Sequence, residues 1–227
     1  MALQDHLATI PASMARLPRD PRGYPIPWFV DMKAPPHNGG PDFRIMDGKH
    51  LKIAMRERRC WVCGGRLLGE HGTFVAGPMC GVNRTSAEPP CHLDCARWSA
   101  MACPFLSQPK RIRDESGLPT EKHVAGVGIT RNPGVTMLWT CESFETWRPP
   151  NGGVLFNFGE PVLVEWYAQG RLATREEVET SVETGLPLLL KEAVKDGALG
   201  CFELGRSTER FIKYLPKPSP ALQVEAA

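Results

Sequence analysis

The spacing of apolar residues in the first half of the chain indicates one amphipathic helix. After the turn-rich letters APPHNGGP, residues 43–46 predict a short strand, and Asp47 is a suitable N-cap for a helix over residues 48–59. Leu51 and Met55 lie on one stripe of that helix, whereas lysines and arginines occupy the opposite face. The pattern therefore predicts a helix with one buried face and one basic face.

Short β-prone runs occupy the middle of the chain. Residues 124–130 and 135–140 are rich in β-branched side chains, and the Arg-Asn-Pro-Gly sequence at 131–134 is typical of a hairpin turn between them. Residues 154–158 are a candidate third strand. These runs predict a small antiparallel sheet.

Helical signals follow from residue 160 onward. Pro161 suits the first position of a helix, and Gly170 suits the position just beyond its end. Thr174 and Glu177 have the spacing of a capping box, in which each side chain bonds the other residue's backbone amide. Further helices, with glycines near their ends, are predicted over residues 174–185, 187–196 and 202–215. Three or four helices should therefore accompany the sheet.

Composition places the chain among ordinary globular proteins. Hydrophobic residues make up 42% and charged residues 23% of the 227 residues, which argues against disordered, fibrous and coiled-coil classes. A net charge of +2 means that attraction to nucleic acid would require a local basic patch. The chain starts without the apolar run of a signal peptide and has no stretch of ~18 apolar residues, which predicts a cytoplasmic protein without a membrane partner.

Six of the eight cysteines cluster between residues 60 and 103, which in a reducing compartment indicates metal ligands rather than disulfides. The sequence Cys60-Trp-Val-Cys63-Gly-Gly is typical of a zinc knuckle, in which two thiolates bind one ion from a tight turn. A helix should begin after Pro89-Pro90, and His92 and Cys95 share one face of it. These four side chains form a candidate zinc site.

Two other cysteines are alternative ligands. Cys91 lies four residues before Cys95 and would share its face of the helix. Cys80 lies at the end of a hairpin predicted from residues 66–69 and 73–79. Either cysteine could replace His92 in the ligand set.

A knuckle, a hairpin and a helix whose first turn returns two ligands resemble the treble-clef zinc fingers over about residues 58–105. This resemblance implies one structural zinc ion without an open position for a reacting water. The motifs CWVCG, GPMC, EPPCH, DCA and CPF also resemble hypothetical proteins of bacteria and their phages. That second resemblance implies an association with phages and no particular activity.

An HNH-like, metal-dependent endonuclease is the alternative function. HNH nucleases share the treble-clef frame and use an acidic residue beside a histidine base, then an asparagine, then a metal-binding histidine. Glu70, His71, Asn83 and His92 follow the same order in this chain. His92 cannot bind both a structural zinc and a catalytic ion, however, and Glu-His-Gly at 70–72 is typical of a turn. The leading expectation is a protein that is not an enzyme.

Basic residues near the candidate zinc site suggest a partner. The candidates for contacts with nucleic-acid phosphates are Arg56, Arg59, Arg111 and Arg113. Trp147, in a segment rich in proline and glycine, is a loop aromatic that could instead anchor a protein partner. The predicted function is a zinc-stabilised binding protein that acts on a protein or nucleic-acid partner.

The expected architecture is α+β, with a treble-clef zinc domain followed by a small antiparallel sheet and its helices. The polar, turn-rich residues 110–121 are the candidate linker. The predicted division is a tail or docked arm over 1–22, the zinc-binding domain over 23–109, the linker over 110–121, an α+β domain over 122–215 and a tail over 216–227.

Overall fold

The structure is a computed structural model, and it describes residues 9–37, 39–69, 71–108, 125, 131–150 and 152–218. Within these residues, helices and antiparallel strands are mixed, as predicted for an α+β protein. The candidate linker at 110–121 and the predicted strand at 124–130 lie outside the described residues, apart from Ala125. No helix in the described ranges is long and apolar enough to cross a lipid bilayer.

The strands form two antiparallel sheets. In chain order they are β1 (Gly72–Ala76), β2 (Thr85–Ser86), β3 (Thr136–Cys141), β4 (Phe144–Trp147), β5 (Leu155–Phe158), β6 (Pro161–Ala168) and β7 (Arg171–Leu172). The larger sheet has the order β1-β3-β6-β7, and the smaller sheet has the order β2-β5-β4. The strands predicted over residues 135–140 and 154–158 are confirmed as β3 and β5.

Along the chain, the helices lie before, between and after these strands. In chain order they are α1 (Gly48–Glu57), α2 (Pro78–Asn83), α3 (Leu93–Ala102), α4 (Pro104–Ser107), α5 (Arg175–Ala193) and α6 (Gly197–Ile212). Asp47 caps α1 by accepting a hydrogen bond from the Lys49 amide at 2.7 Å. Both hydrogen bonds of the predicted capping box between Thr174 and Glu177 are present at the start of α5.

Strand β3 is buried along its whole length because both faces of the larger sheet are covered. Alternate side chains of a strand point to opposite faces. Leu138 packs in a cluster with the cysteines near residue 60, whereas Met137 and Trp139 pack in a second cluster rich in aromatic rings. The sheet therefore separates two hydrophobic cores.

The helix predicted from residue 160 to 170 is wrong, because this segment forms β6. Apart from Glu165, the letters VLVEWY are β-branched, aliphatic or aromatic, and such side chains pack well on a pleated surface between two neighbouring strands. Gln169 and Gly170 both have positive φ, 53° and 74°, so they form the tight turn to β7. Gly170 therefore marks a hairpin and not the end of a helix.

The predicted break between helices at residue 185 is also wrong, since α5 continues through Pro187 to residue 193. Pro187 and Glu183 are both exposed, so water can satisfy the Glu183 carbonyl that the missing proline amide leaves free. Gly185 instead permits close packing, because a Cβ there would lie 2.8 Å from the Met79 sulfur. The last helix, α6, begins at residue 197 and not at residue 202.

The hairpin predicted between residues 66–69 and 73–79 is not formed. Strand β1 pairs with β3, while Arg66 makes one isolated bridge with Arg59. The predicted strand at 43–46 is likewise reduced to a single bridge between Met46 and Val30. Strand β1, which precedes the candidate linker at 110–121, therefore lies in the same sheet as β3, which follows it.

Trp147 lies at the end of β4 and not in a loop. Its side chain is 43% exposed, and its indole Nε1 donates a hydrogen bond to Asn157 Oδ1 at 3.0 Å. The ring therefore keeps an exposed face while its polar atom is satisfied within the smaller sheet.

Candidate metal centre

The first half of the candidate metal centre is a tight turn closed by backbone hydrogen bonds. The Cys60 amide donates to the Gly65 carbonyl at 2.7 Å, and the Gly64 amide donates to the Cys60 carbonyl at 2.9 Å. Gly64 has φ 70° and faces the Trp28 indole, which lies 2.6 Å from the position a Cβ would take. Only glycine fits there, because a side chain would combine backbone strain with a clash. The turn places Cys60 and Cys63 side by side.

The second half comes from the start of α3. His92 is the N-cap of the helix, in extended conformation, and Cys95 lies in its first turn. His92 Nδ1 is 3.3 Å from Cys63 Sγ and 3.9 Å from Cys95 Sγ. The turn and the helix start therefore bring four donor side chains together, although they are far apart in the chain.

The ligand atoms of Cys60, Cys63, His92 and Cys95 all lie within 4.8 Å of one another. A tetrahedral zinc site, with bonds of about 2.0 to 2.3 Å, spaces its donors by about 3.3 to 3.8 Å. The three cysteines are buried, with exposures of 0%, 2% and 0% in chain order. These four residues lie close enough to bind a metal ion, and the sulfur and nitrogen donors suit zinc.

A carbonyl orients the imidazole of His92 for metal binding. His92 Nε2 is 2.9 Å from the Arg66 carbonyl oxygen, an acceptor, so Nε2 carries the proton and donates it. Nδ1 is then the nitrogen that would bind a metal ion, and it faces the sulfurs of Cys63 and Cys95. Metal-binding histidines commonly have such a partner on the other ring nitrogen.

The pKa values reflect the crowding of the thiols. A hydrogen bond with Cys63 lowers the pKa of Cys60 far below its ordinary value. Contact with Cys60 raises the pKa of Cys95 and raises that of His92 to about 11. The protons on Cys95 and His92 thus stabilise the thiolate of Cys60. A metal ion that bound all four side chains would displace these protons.

The alternative ligands lie outside this cluster. Cys91 is buried, and its thiol donates a hydrogen bond to the Thr73 carbonyl at 3.2 Å. Contact with Cys60 and burial raise the pKa of Cys91 well above its usual range. Cys80 lies in α2, where burial raises the pKa of its thiol. The structure thus places both cysteines where they remain protonated.

Residues 13–16 of the N-terminal arm lie beside the candidate metal centre, a contact that no motif in the sequence indicated. Ser13 Oγ lies 3.3 Å from Cys95 Sγ, and Met14 is completely buried beside the cysteines. A methyl group at Gly65 would lie 3.3 Å from Cys63 Sγ and 3.6 Å from Arg16 Nη2. The Ser13 hydroxyl of the arm therefore contacts a ligand sulfur, and the Arg16 guanidinium lies near Gly65.

Two of the four arginines predicted to contact phosphates share one carboxylate. Arg56 and Arg59 lie 2.6 Å and 2.8 Å from the two oxygens of Glu57, and they lower the pKa of that carboxyl group. Arg111 and Arg113 lie outside the described residues. Arg58 and Arg66, which flank the zinc motif in the sequence, are also exposed.

Arg56, Arg58 and Arg66 border a depression of about 330 Å³ between the end of α1 and residues 66–69, which follow the knuckle. Leu68 lies on its rim and is 85% exposed. We call the surface formed by Arg56, Arg58, Arg66 and Leu68 the arginine surface.

Among the residues that the structure describes, the HNH-like residues do not form a second metal site. Both ring nitrogens of His92 have partners, the cysteine sulfurs and the Arg66 carbonyl. His71 is exposed, and its Nε2 lies 3.5 Å from Glu142 Oε1. Asn83 ends α2, and Glu70 lies outside the described residues.

Comparison with family models, with curated proteins and with solved structures found no match. What this chain does must therefore be inferred from its own residues.

Proposed function

We propose that the protein is a zinc-stabilised binding protein in which Cys60, Cys63, His92 and Cys95 hold one structural zinc ion. The orientation of His92 supports this proposal most directly: the Arg66 carbonyl binds the Nε2 proton and leaves Nδ1 facing three buried sulfurs. Four protein ligands complete a tetrahedral zinc site and leave no position for a reacting water. Such an ion stabilises the fold and does not catalyse hydrolysis.

The surroundings of the site support a treble-clef-like zinc finger with a changed hairpin. A knuckle supplies two ligands and the start of a helix supplies the other two, as in that family. Between them, however, the chain forms β1, α2 and β2, and β1 pairs with β3. The treble-clef assignment therefore applies to the two halves that carry ligands.

The partner-binding face that we propose is the arginine surface. Including Arg59, four arginines lie beside one glutamate, which leaves a local charge of +3 next to the zinc site. A polyanion would gain attraction there, and phosphates suit the planar donors of arginine. We therefore favour a nucleic-acid partner, with a protein partner at Trp147 as the alternative outcome. No observation favours an HNH-like nuclease.

Metal analysis tests the zinc proposal. Protein purified under reducing conditions should contain one equivalent of zinc, and a chelator strong enough to remove it should unfold the region around Cys60. Folded, reduced protein without bound metal would contradict the proposal.

Salt-dependent binding tests the arginine surface. Binding to duplex and to single-stranded DNA should weaken with salt, and the double variant Arg58→Gln with Arg66→Gln should flatten the logarithmic slope on duplex by about 1.8, or roughly 0.9 per lost contact. Lys191→Gln, at an exposed lysine on α5, is the matched charge control and should leave the slope unchanged. Absence of binding at low salt would remove the nucleic-acid partner. A loss of protein binding in Trp147→Ala would then support the alternative.

A further inference from the structure

A polar cavity of about 230 Å³ lies on the other side of the molecule, between the end of α2, the start of β6 and α6. Its floor is Phe211, which is only 2% exposed. Its walls include the side chains of Arg84, Glu160, Ser207 and Arg210. The cavity shares no residue with the candidate metal centre or with the arginine surface, so its chemistry is independent of the function proposed above.

Arg84 is held rigidly at one wall of this cavity. It caps α2 with φ 52°, and its amide bonds the Cys80 and Gly81 carbonyls. Its guanidinium lies over the rings of Trp139 and Tyr214, at 5.4 Å and 5.8 Å from their centroids. The charge is therefore positioned before any ligand arrives.

The nearby backbone offers few acceptors that would favour a cation instead. The Asn83 carbonyl accepts the Thr85 hydroxyl at 3.0 Å, and the Arg84 carbonyl accepts the Phe158 amide at 2.7 Å. The Arg84 amide bonds the Cys80 and Gly81 carbonyls, so four of the five carbonyls from Cys80 to Arg84 already accept a hydrogen bond, and Val82 carries the fifth. The groups that remain for a ligand at this end of the cavity are mainly donors.

A second pair of donors comes from α6. Ser207 and Arg210 are three residues apart and lie on the same side of the helix, where Arg210 Nη2 donates to Ser207 Oγ at 3.1 Å. The guanidinium is exposed and can turn toward a ligand. Arginines on two walls, one of them beside a hydroxyl, suit an oxyanion that offers several oxygens.

Glu160 occupies the place of such an anion. Its carboxylate accepts hydrogen bonds from Arg84 Nη1 at 2.7 Å and from the Tyr214 hydroxyl at 2.6 Å. These two partners, Arg84 first, hold the pKa of Glu160 at about 2, so the group is charged at neutral pH. The side chain is nevertheless 69% exposed, so it can move into solvent. Two arginines and one glutamate leave the cavity a net charge of +1.

We propose that this cavity binds a phosphate group, as inorganic phosphate or a small phosphomonoester, between Arg84 and Arg210. The Ser207 hydroxyl donates a third hydrogen bond, and the ligand displaces the Glu160 carboxylate from Arg84. Glu160 is thus an internal competitor that keeps the site closed when phosphate is scarce.

Calorimetric titration of the full-length, zinc-loaded chain with inorganic phosphate tests this proposal at constant ionic strength. The wild-type protein should bind one equivalent. Arg210→Gln should weaken binding roughly tenfold, because a charge-assisted hydrogen bond is lost. Glu160→Gln should instead strengthen binding several-fold, because the competing charge is removed while the shape is kept. A merely destabilising substitution would not strengthen binding.

Arg206→Gln is the matched control, since it removes the same charge from the same helix at a residue that does not line the cavity. It should leave phosphate affinity unchanged, and acetate should not bind at the same concentrations. The proposal is overturned if the wild-type protein binds no phosphate at millimolar concentration, if acetate binds equally well, or if Glu160→Gln fails to strengthen binding. Equal weakening by Arg206→Gln and Arg210→Gln would also overturn it.

Discussion

The hydrophobic cores on the two faces of the larger sheet differ in their amino-acid composition. The core on the metal side includes four cysteines and three alanines, and their side chains are small. The core on the other side includes six aromatic residues, among them Phe74, Trp139 and Phe158. Burial of aromatic side chains removes much apolar area from water, whereas cysteine and alanine side chains bury little.

The difference indicates which interactions stabilise each side of the larger sheet. Phe74 stacks on Phe158 with centroids 4.4 Å apart and meets Phe144 edge to face at 5.5 Å, so the aromatic side is stabilised by ring packing. On the metal side, three buried sulfurs and one imidazole nitrogen lie close together, and each could form a bond to a bound ion. Those four bonds would stabilise this side of the protein. We therefore expect the two sides to respond differently to loss of metal and to loss of a ring.

Loss of a metal ligand should have the largest effect. Cys63→Ser should abolish zinc binding and unfold the region around Cys60, because structural zinc contributes on the order of 10 kcal/mol of binding free energy to such folds. Metal analysis and hydrogen exchange would measure this. Amide protection should fall further in α3 than in α5, which packs on the aromatic side.

A cysteine outside the cluster provides the control for this variant. Cys201→Ser, in α6, changes the same atom at a half-buried position and should leave zinc content and exchange unchanged. Retention of a full equivalent of zinc by Cys63→Ser would contradict the ligand assignment.

Loss of a ring from the aromatic side should come second. Phe74→Ala should lower the free energy of unfolding by about 3 to 5 kcal/mol, since Phe74 is 1% exposed and leaves a cavity. Denaturation at fixed zinc concentration would measure it, and zinc stoichiometry should stay at one. Phe105→Ala, at a residue that is 41% exposed, should cost much less. Equal costs would show that the two cores are not distinct.

The ligand chemistry was predictable because it is local. Cys60 and Cys63 sit in one turn, and two prolines before His92 indicate where α3 begins, so short-range spacing was enough to propose the cluster that the structure brings together. The Arg66 carbonyl and the arm residue Ser13 were not predictable, since their contacts depend on how distant segments pack.

The strand pairing and the continuous helix were not predictable for a different reason. Pro161 and Gly170 fit a helix by their positions, whereas the β-prone residues between them pair with β3 and β7 and make residues 161–168 a strand. Pro187 usually ends a helix, yet here the freed carbonyl faces solvent and α5 continues. Tertiary packing decided both cases against the local signal.

The salt bridge between α3 and the larger sheet should have the third largest effect. Arg97 on α3 donates two hydrogen bonds to Glu165 on β6, at 2.8 Å and 2.9 Å, and thereby joins the metal side to the sheet. A double-mutant cycle with Arg97→Gln and Glu165→Gln should give a coupling energy of about 1 kcal/mol, since the pair is bidentate but partly exposed. The helical pair of Arg175 and Glu179 should give about 0.3 to 0.5 kcal/mol. Equal couplings would mean that the pair of Arg97 and Glu165 is only a surface contact.

The smallest expected effect is that of His71→Ala, which separates a binding protein from an HNH-like nuclease. His71 is 53% exposed, and its carboxylate neighbour Glu142 is 58% exposed, so their contact at 3.5 Å is screened by water. The change should alter the free energy of unfolding by no more than about 0.5 kcal/mol and should leave zinc content unchanged. Plasmid DNA incubated with Mg²⁺ or Mn²⁺ should remain intact with the wild-type protein and with the variant alike. Cleavage by the wild-type protein that His71→Ala abolishes would instead identify His71 as a catalytic base and reverse the order of the two functions.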